Sequence, residues 1–330
     1  THLAHSLLSA MNLLWLLLLH TLFNARVKSA PSGAVSVSPV TPKQHYYQHN
    51  GTEFTKVSLP KSNSMSDASA RIRKQKQYSY TGQSHQDSIV HRMFEKKGNG
   101  YFIDLAANHY LIGSNTFRLE QSFGWKGLCV EPNSMYLEEL VHRRSCEVLV
   151  NPISDVNGEE LTFRMNGVYG GIVAPDKGVT DASLPSLPKS PNMSNVVLKT
   201  VTLPTVLEKF GAPSVIDFFS LDVEGAELLV MKGMEGFWDR YTFLTILIER
   251  PVKPLHMLLI QHGYWFLHKL NPWGDCLYIH PSIPNFNVHI KKHYPLSVAA
   301  VTYFNGVSRH TEGVHKFLFI NATSSVLQTK

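Results

Sequence analysis

Residues 101–133 read YFIDLAANHYLIGSNTFRLEQSFGWKGLCVEPN. Tyr101–Leu105 is a short apolar run bounded by loop residues and reads as a strand. Ser114-Asn115-Thr116 offers hydroxyl and amide groups suited to a helix N-terminus, and Gly124 suits that helix's end. Gly127–Val130 is a second strand closed by Glu131, and Asn133 or Ser134 caps the next helix. Strand, helix and strand in immediate succession are the repeating unit of an α/β domain with a parallel sheet.

The alternation continues outward. Val148–Val150 reads as a third strand, and the turn Asp155-Val156-Asn157-Gly158 leads to another near Leu161–Met165. Thr202 caps a helix that has Pro204 in its first turn and ends at Gly211. Val215–Leu221 is the most apolar strand, Thr245–Ile248 another, and Pro254–His262 a helix. Tyr264–Leu267 and Leu277–Ile279 form a closing hairpin. These elements place an α/β domain over residues 96–280, a mostly parallel sheet with helices on both faces. Residues 166–195 are rich in Gly, Pro, Ser and Asn and read as a long loop of the lid or substrate kind. Residues 281–330 are a weakly patterned C-terminal extension.

The N-terminal side differs. Residues 1–23 hold no Lys, Arg, Asp or Glu. Leu3–Phe23, as a helix about 31 Å long, matches a bilayer core of about 30 Å. It reads as a signal anchor or a signal peptide, placing the protein in a membrane, single-pass, or in the secretory pathway of endoplasmic reticulum and Golgi. Residues 24–95, polar and rich in Ser, Gln, Pro, Lys and His, read as a basic disordered stem. Residues 24–92 carry ten Lys or Arg against three Asp or Glu, whereas residues 93–330 carry 21 against 22. The overall +6 therefore belongs to the stem, and a nucleic-acid partner is not expected.

In open α/β sheets ligands bind where strands end. The acids at those ends are Asp104, Glu131, Asp155, Asp222, Glu224 and Glu249. Glu131, closing the second strand, suits the two hydroxyls of a ribose. The turn Ala106–Gly113 has neither Gly-x-Gly-x-x-Gly nor Gly-Lys-Ser/Thr, so nothing cradles a phosphate. A cofactor with ribose and adenine but no phosphate fits, and S-adenosylmethionine is one.

The quoted stretch, together with VTLPTVLEKFGAPSVIDFFSLDVEGAELLVMKGM at residues 201–234, resembles the FkbM-type S-adenosylmethionine-dependent methyltransferases over about residues 98–280. Ser114-Asn115-Thr116, Gly124-Trp125-Lys126-Gly127, Glu131-Pro132-Asn133 and Leu221-Asp222-Val223-Glu224-Gly225 carry the resemblance. It implies a Rossmann-like class I methyltransferase fold with a seven-stranded sheet whose last strand is antiparallel. The implied activity is O-methylation of a hydroxyl on a sugar, lipid or small metabolite. By position, Asp104 and Asn108 would line the methionine end of the cofactor, Glu131 would hold the ribose, and Asp155 would lie near the adenine. The full expected binding set is Asp104, Ala106, Asn108, Ser114, Asn115, Thr116, Glu131, Pro132, Asn133, Ser154, Asp155 and Asp222. The family's first turn, Asp-x-Gly-Ala-Asn-Asp-Gly, departs here: Ala106 and Tyr110 replace the glycines and His109 the second acid.

A hydroxyl attacking a methyl must shed its proton, so a base is required nearby. Asp222 is the first candidate, followed by Glu224, Glu249 and His109, while Glu227 reads as a surface residue. This reading includes no metal, and 3 Cys among 17 scattered His give no zinc pattern. Cys129 and Cys146 would approach if their strands are neighbours. Two alternatives stay open: a Golgi-type glycosyltransferase using Asp222 and Glu224 with a metal, and a catalytically lapsed binding domain.

Overall fold

The computed structural model describes residues 43–59, 80–179, 193–271 and 274–290. The apolar segment 1–23 lies outside these residues. Among the described residues no helix is long and apolar enough to cross a membrane.

The strands are β1 (His45–His49), β2 (Phe54–Ser58), β3 (Tyr101–Leu105), β4 (Lys126–Val130), β5 (Glu147–Leu149), β6 (Ile153–Ser154), β7 (Glu160–Met165) and β8 (Gly171–Val173). They continue with β9 (Ser194–Lys199), β10 (Val201–Thr202), β11 (Val215–Leu221), β12 (Thr242–Glu249), β13 (Trp265–Lys269) and β14 (Asp275–Ile279). The helices are α1 (Gln86–Met93), α2 (Phe117–Phe123), α3 (Ser134–Arg143), α4 (Leu203–Lys209), α5 (Glu227–Lys232) and α6 (Lys253–Gln261).

The main sheet has the order β13-β14-β12-β11-β3-β4-β5-β1-β2. It has nine strands, not the expected seven. The core from β5 to β13 supplies seven, with β14 antiparallel to both its neighbours, and the β1–β2 hairpin extends the β5 edge.

That hairpin corrects the expectation of a wholly disordered stem over 24–95. β1 and β2 turn at Asn50-Gly51, where Asn50 Oδ1 accepts the backbone N–H of Thr52 and Glu53. Asn151 then clamps β1 from both sides, accepting from the His49 N–H and donating to the His49 carbonyl. Helix α1 also falls inside the expected stem. Its Val90 and Met93 are buried in the core.

The sheet is buried on both faces because its residues alternate between two apolar clusters. Ile103, Phe219, Ile246 and Ile248 face one, with Leu207 of α4, Val230 of α5 and Leu259 of α6. Phe102, Phe218, Leu244 and Leu247 face the other, with Val90 of α1, Leu119 of α2 and Leu140 of α3. Three helices thus cover each face. The expected loop at 166–195 is partly structured: β8, β7 and β9 form an antiparallel three-stranded sheet over a third small core, while 180–192 lie outside the described residues. Of the C-terminal extension, the described part to residue 290 docks on the domain, with Ile283 buried and Phe286 edge-on to Trp265.

Candidate active site

Four parallel strands end in register. Leu105 pairs with Val130 on one side and Leu221 on the other, and Leu221 pairs with Ile248. The next residues, Glu131, Ala106, Asp222 and Glu249, therefore leave the sheet in one row. At about 4.8 Å per strand, Glu131 and Asp222 stand roughly 10 Å apart across Ala106.

A cleft opens at the Glu131–Ala106 end of this row and reaches Val223, its walls including Ala106, Glu131, Pro132, Ile153 and Ile172. Glu131 is 2% exposed. Its Oε2 accepts the backbone N–H of Asn108 and its Oε1 that of Asn133, each at 2.7 Å. Burial pushes its carboxyl up to about 7, against the pull of those two N–H groups. Each carboxylate oxygen keeps a further lone pair for a hydroxyl donor. The turn that presents Asn108 puts both Ala106 and Asn108 in the left-handed region, at φ 60° and 49°. A glycine favours that conformation, and the methyl of Ala106 sits there under strain.

Ala106, Asn108, Glu131, Pro132 and Asn133 all line the cleft. Asn133 also caps α3 by accepting from the Met135 N–H, and its Nδ2 donates to the Gly167 carbonyl. The other expected cofactor residues lie elsewhere. Asp104 points with Phe102 to the face covered by α1–α3, where Thr116 Oγ1 donates to it at 2.5 Å. Arg144 donates to Thr116 Oγ1 and Ser114 Oγ, and its Nε to Glu120. Arg144 and Glu120 are fully buried, so this is a structural ion pair that braces the first turn from behind. Burial raises the Asp104 carboxyl, and Arg144 opposes that rise. Thr116 is the N-cap residue of α2 but its side chain makes no capping bond; Ser114 Oγ accepts the Phe117 N–H instead. Asn115 donates to Ser220 Oγ. Ser154 donates to Asp155, which Lys177 also holds at 2.8 Å. Burial alone would raise the Asp155 carboxyl, yet the Lys177 contact keeps it below its ordinary value.

Beyond Val223 the acids converge. Asp222, Glu224 and Glu249 each bring one carboxylate oxygen within 4.8 Å of the others. Burial, then Glu249 and Glu224, hold Asp222 well above the usual carboxylate range. Glu224, at φ 55°, is pushed up to about 7 by burial and Glu249, with Arg250 opposing. Arg250, which follows Glu249 directly, donates to Glu224 at 2.8 Å and to Glu249. His109 is not part of this group. Its Nδ1 accepts from the N–H groups of Leu111 and Ile112, and its Nε2 faces Glu139 of α3 at 3.4 Å. Tyr110 stacks on it and packs with the α1–α3 face.

Glu227, expected at the surface, is buried instead. Its Oε1 accepts the N–H groups of Val223 and Gly225 and so closes the turn that carries Glu224. Sequence reasoning also missed Arg250, Arg144 and Glu120. For Arg250 a signal existed, since it directly follows a strand-end acid.

Residues 104–264 match the family described as Methyltransferase FkbM domain. Comparison with curated proteins gives no match.

Proposed function

Because residues 104–264 form a methyltransferase domain of the FkbM family, we propose that the protein moves a methyl group from S-adenosylmethionine to the hydroxyl of a sugar, lipid or small-metabolite acceptor. The observation that carries this reading is the row Glu131–Ala106–Asp222–Glu249 at the sheet's carboxyl edge. Glu131 at one end supports a ribose role, and Asp222, two strands and roughly 10 Å away, supports a role at the transfer end, with Glu249 one strand further on.

The residues present fit the cofactor. Glu131 has acceptor capacity left for both ribose hydroxyls, and apolar Ile153, Phe163 and Ile172 beside it offer a surface for a purine. No glycine cradle for a pyrophosphate is needed. The bound sulfonium supplies an electrophilic methyl group that reacts by in-line displacement. The chain's own task is to position the two partners and to receive one proton. Asp222, Glu224 and Glu249 are the groups at the transfer end that can receive it. Burial and mutual repulsion raise the carboxyls of Asp222 and Glu224, which makes each a stronger base when ionised.

The setting is proposed as well. Cys129 of β4 and Cys146, the residue before β5, form a disulfide, which supports an oxidising compartment. With the apolar segment 1–23, this favours a membrane-tethered or secretory-pathway enzyme.

The test is calorimetric titration of the full chain with S-adenosylhomocysteine, in the wild type and in Glu131→Ala. Saturable binding that weakens at least tenfold in the variant is the expected result. No heat of binding, or a melting temperature raised only by a UDP-sugar with manganese, would overturn the reading.

A further inference from the structure

We propose that Asp222, Glu224 and Glu249 bind a divalent, oxygen-preferring cation, magnesium or manganese, which seats the acceptor oxygen beside the methyl donor. The acceptor part of this inference rests on the methyltransferase reading, whereas the cation site rests on geometry alone.

Three observations carry it. Among the described residues this is the one group of three or more His, Cys, Asp or Glu whose ligand atoms come within 4.8 Å of one another. Two of its members, Asp222 and Glu249, leave adjacent strands in register, so the sheet itself sets their spacing. Independently, Asp222 Oδ1 is sealed from solvent and accepts no hydrogen bond. A buried acceptor left unpaired is costly, and what it lacks is a proton or a cation.

Charge points the same way. The guanidinium of Arg250 reaches Glu224 and Glu249. No contact of Arg250 with Asp222 accompanies these, so three acids share one cation that serves two of them. An all-carboxylate donor set, with neither imidazole nor thiolate, selects hard ions. Three protein ligands leave positions for waters or for a hydroxyl of the acceptor.

The consequence for the reaction is definite. A hydroxyl bound to the ion is acidified and gives its proton to water. Its oxygen then forms the new C–O bond as the C–S bond breaks, the electron pair remaining on sulfur. The carboxylates thereby become ligands and positioning groups. The sequence reading keeps a metal at Asp222 and Glu224 only for the glycosyltransferase alternative and gives the methyltransferase none.

The experiment is titration of the full chain with manganese alone at pH 7.5, followed by the paramagnetic resonance of the free ion. Saturable loss of free signal is expected. Asp222→Asn and Glu249→Gln should each weaken binding by about tenfold or more, while circular dichroism shows them folded and S-adenosylhomocysteine affinity in Glu249→Gln stays within about threefold. If either variant fails to fold, Glu224→Gln takes its place with the same expectation. No saturable binding by the wild type, or binding unchanged in the folded variants, overturns the site. Manganese binding without S-adenosylhomocysteine binding sinks the methyltransferase reading and leaves the cation site standing. The reverse result does the opposite.

Discussion

The backbone N–H of Asn108 donates to Glu131 Oε2 at 2.7 Å, linking the first turn to the end of the second strand. The same carboxyl is pushed up to about 7 by its burial. In the unfolded chain it titrates near its ordinary 4.5. Between these values the folded state holds a proton that the unfolded state has lost, so this group's contribution to stability falls as pH rises from 4.5 to 7. Cofactor binding runs the other way, since only the ionised carboxylate accepts both ribose hydroxyls. Affinity for S-adenosylhomocysteine should climb with pH and level off above about 7, falling roughly tenfold per unit below it. A flat calorimetric profile from pH 5.5 to 8 would show that Glu131 does not grip the ribose.

Ala106 occupies φ 60°, where a Cβ is strained. Ala106→Gly should therefore stabilise the fold by about 1 kcal/mol, read as a higher urea midpoint with an unchanged slope. Cofactor affinity should hold or improve, because the turn is kept and the methyl beside the cleft is removed. A drop in stability would mean that the methyl contributes packing greater than its strain.

Much of this architecture is written locally in the chain. Tyr101–Leu105, Val215–Leu221 and Thr245–Ile248 are apolar runs bounded by caps or turns; the first two are strands as read, and the third lies within the longer strand Thr242–Glu249. Asn133 caps its helix as its position requires. The β1–β2 hairpin escaped because His45–His49 and Phe54–Ser58 are mostly polar, and composition hides a sheet edge whose outer side meets water. Asn50-Gly51 between aromatic residues was the available signal. The carboxylates of the site were visible as strand ends, but their convergence depends on strand order, which no local pattern carries. Glu120 sits in α2 and Arg144 just past the end of α3, and each alone resembles an ordinary solvated charge.

That buried pair makes a strong prediction. Arg144 donates to Glu120, Ser114 and Thr116, and Thr116 donates to Asp104. Arg144→Met leaves Glu120 as an uncompensated buried charge and should cost about 3–5 kcal/mol. Arg144→Lys should recover little, because one ammonium cannot replace three directed N–H donors. Urea unfolding of both variants checks this, and a loss under 1 kcal/mol in either would refute the bracing role.

The Cys129–Cys146 disulfide joins residues 17 apart in sequence. Closing a loop of that length removes chain entropy from the unfolded state worth about 3 kcal/mol. Replacing both residues by serine should lower the melting temperature, and the same drop should follow when the wild type is fully reduced. The serine variant should be indifferent to reductant. Equal stability of oxidised and reduced wild type would show that the bond contributes nothing to the fold.

Gly171 begins β8 against the turn that carries the acids: a Cβ there would lie 3.1 Å from Glu224 Cβ and 3.2 Å from the Val223 carbonyl oxygen. Both are tighter than ordinary van der Waals contact, so a side chain must push the turn or lift the strand. The turn cannot yield freely, because Glu227 ties the N–H groups of Val223 and Gly225. Gly171→Val should therefore displace Glu224 from Asp222 and Glu249 while leaving Glu131 with its two backbone donors. Gly171 also lines the cleft beside Glu131, so S-adenosylhomocysteine affinity should fall, by less than about tenfold, whereas the turnover of methyl transfer falls by about a hundredfold, the scale on which small misplacements act. Gly171→Ala should fall between the two. A variant that loses cofactor affinity in step with turnover would show that β8 supports the ribose end instead of the transfer end.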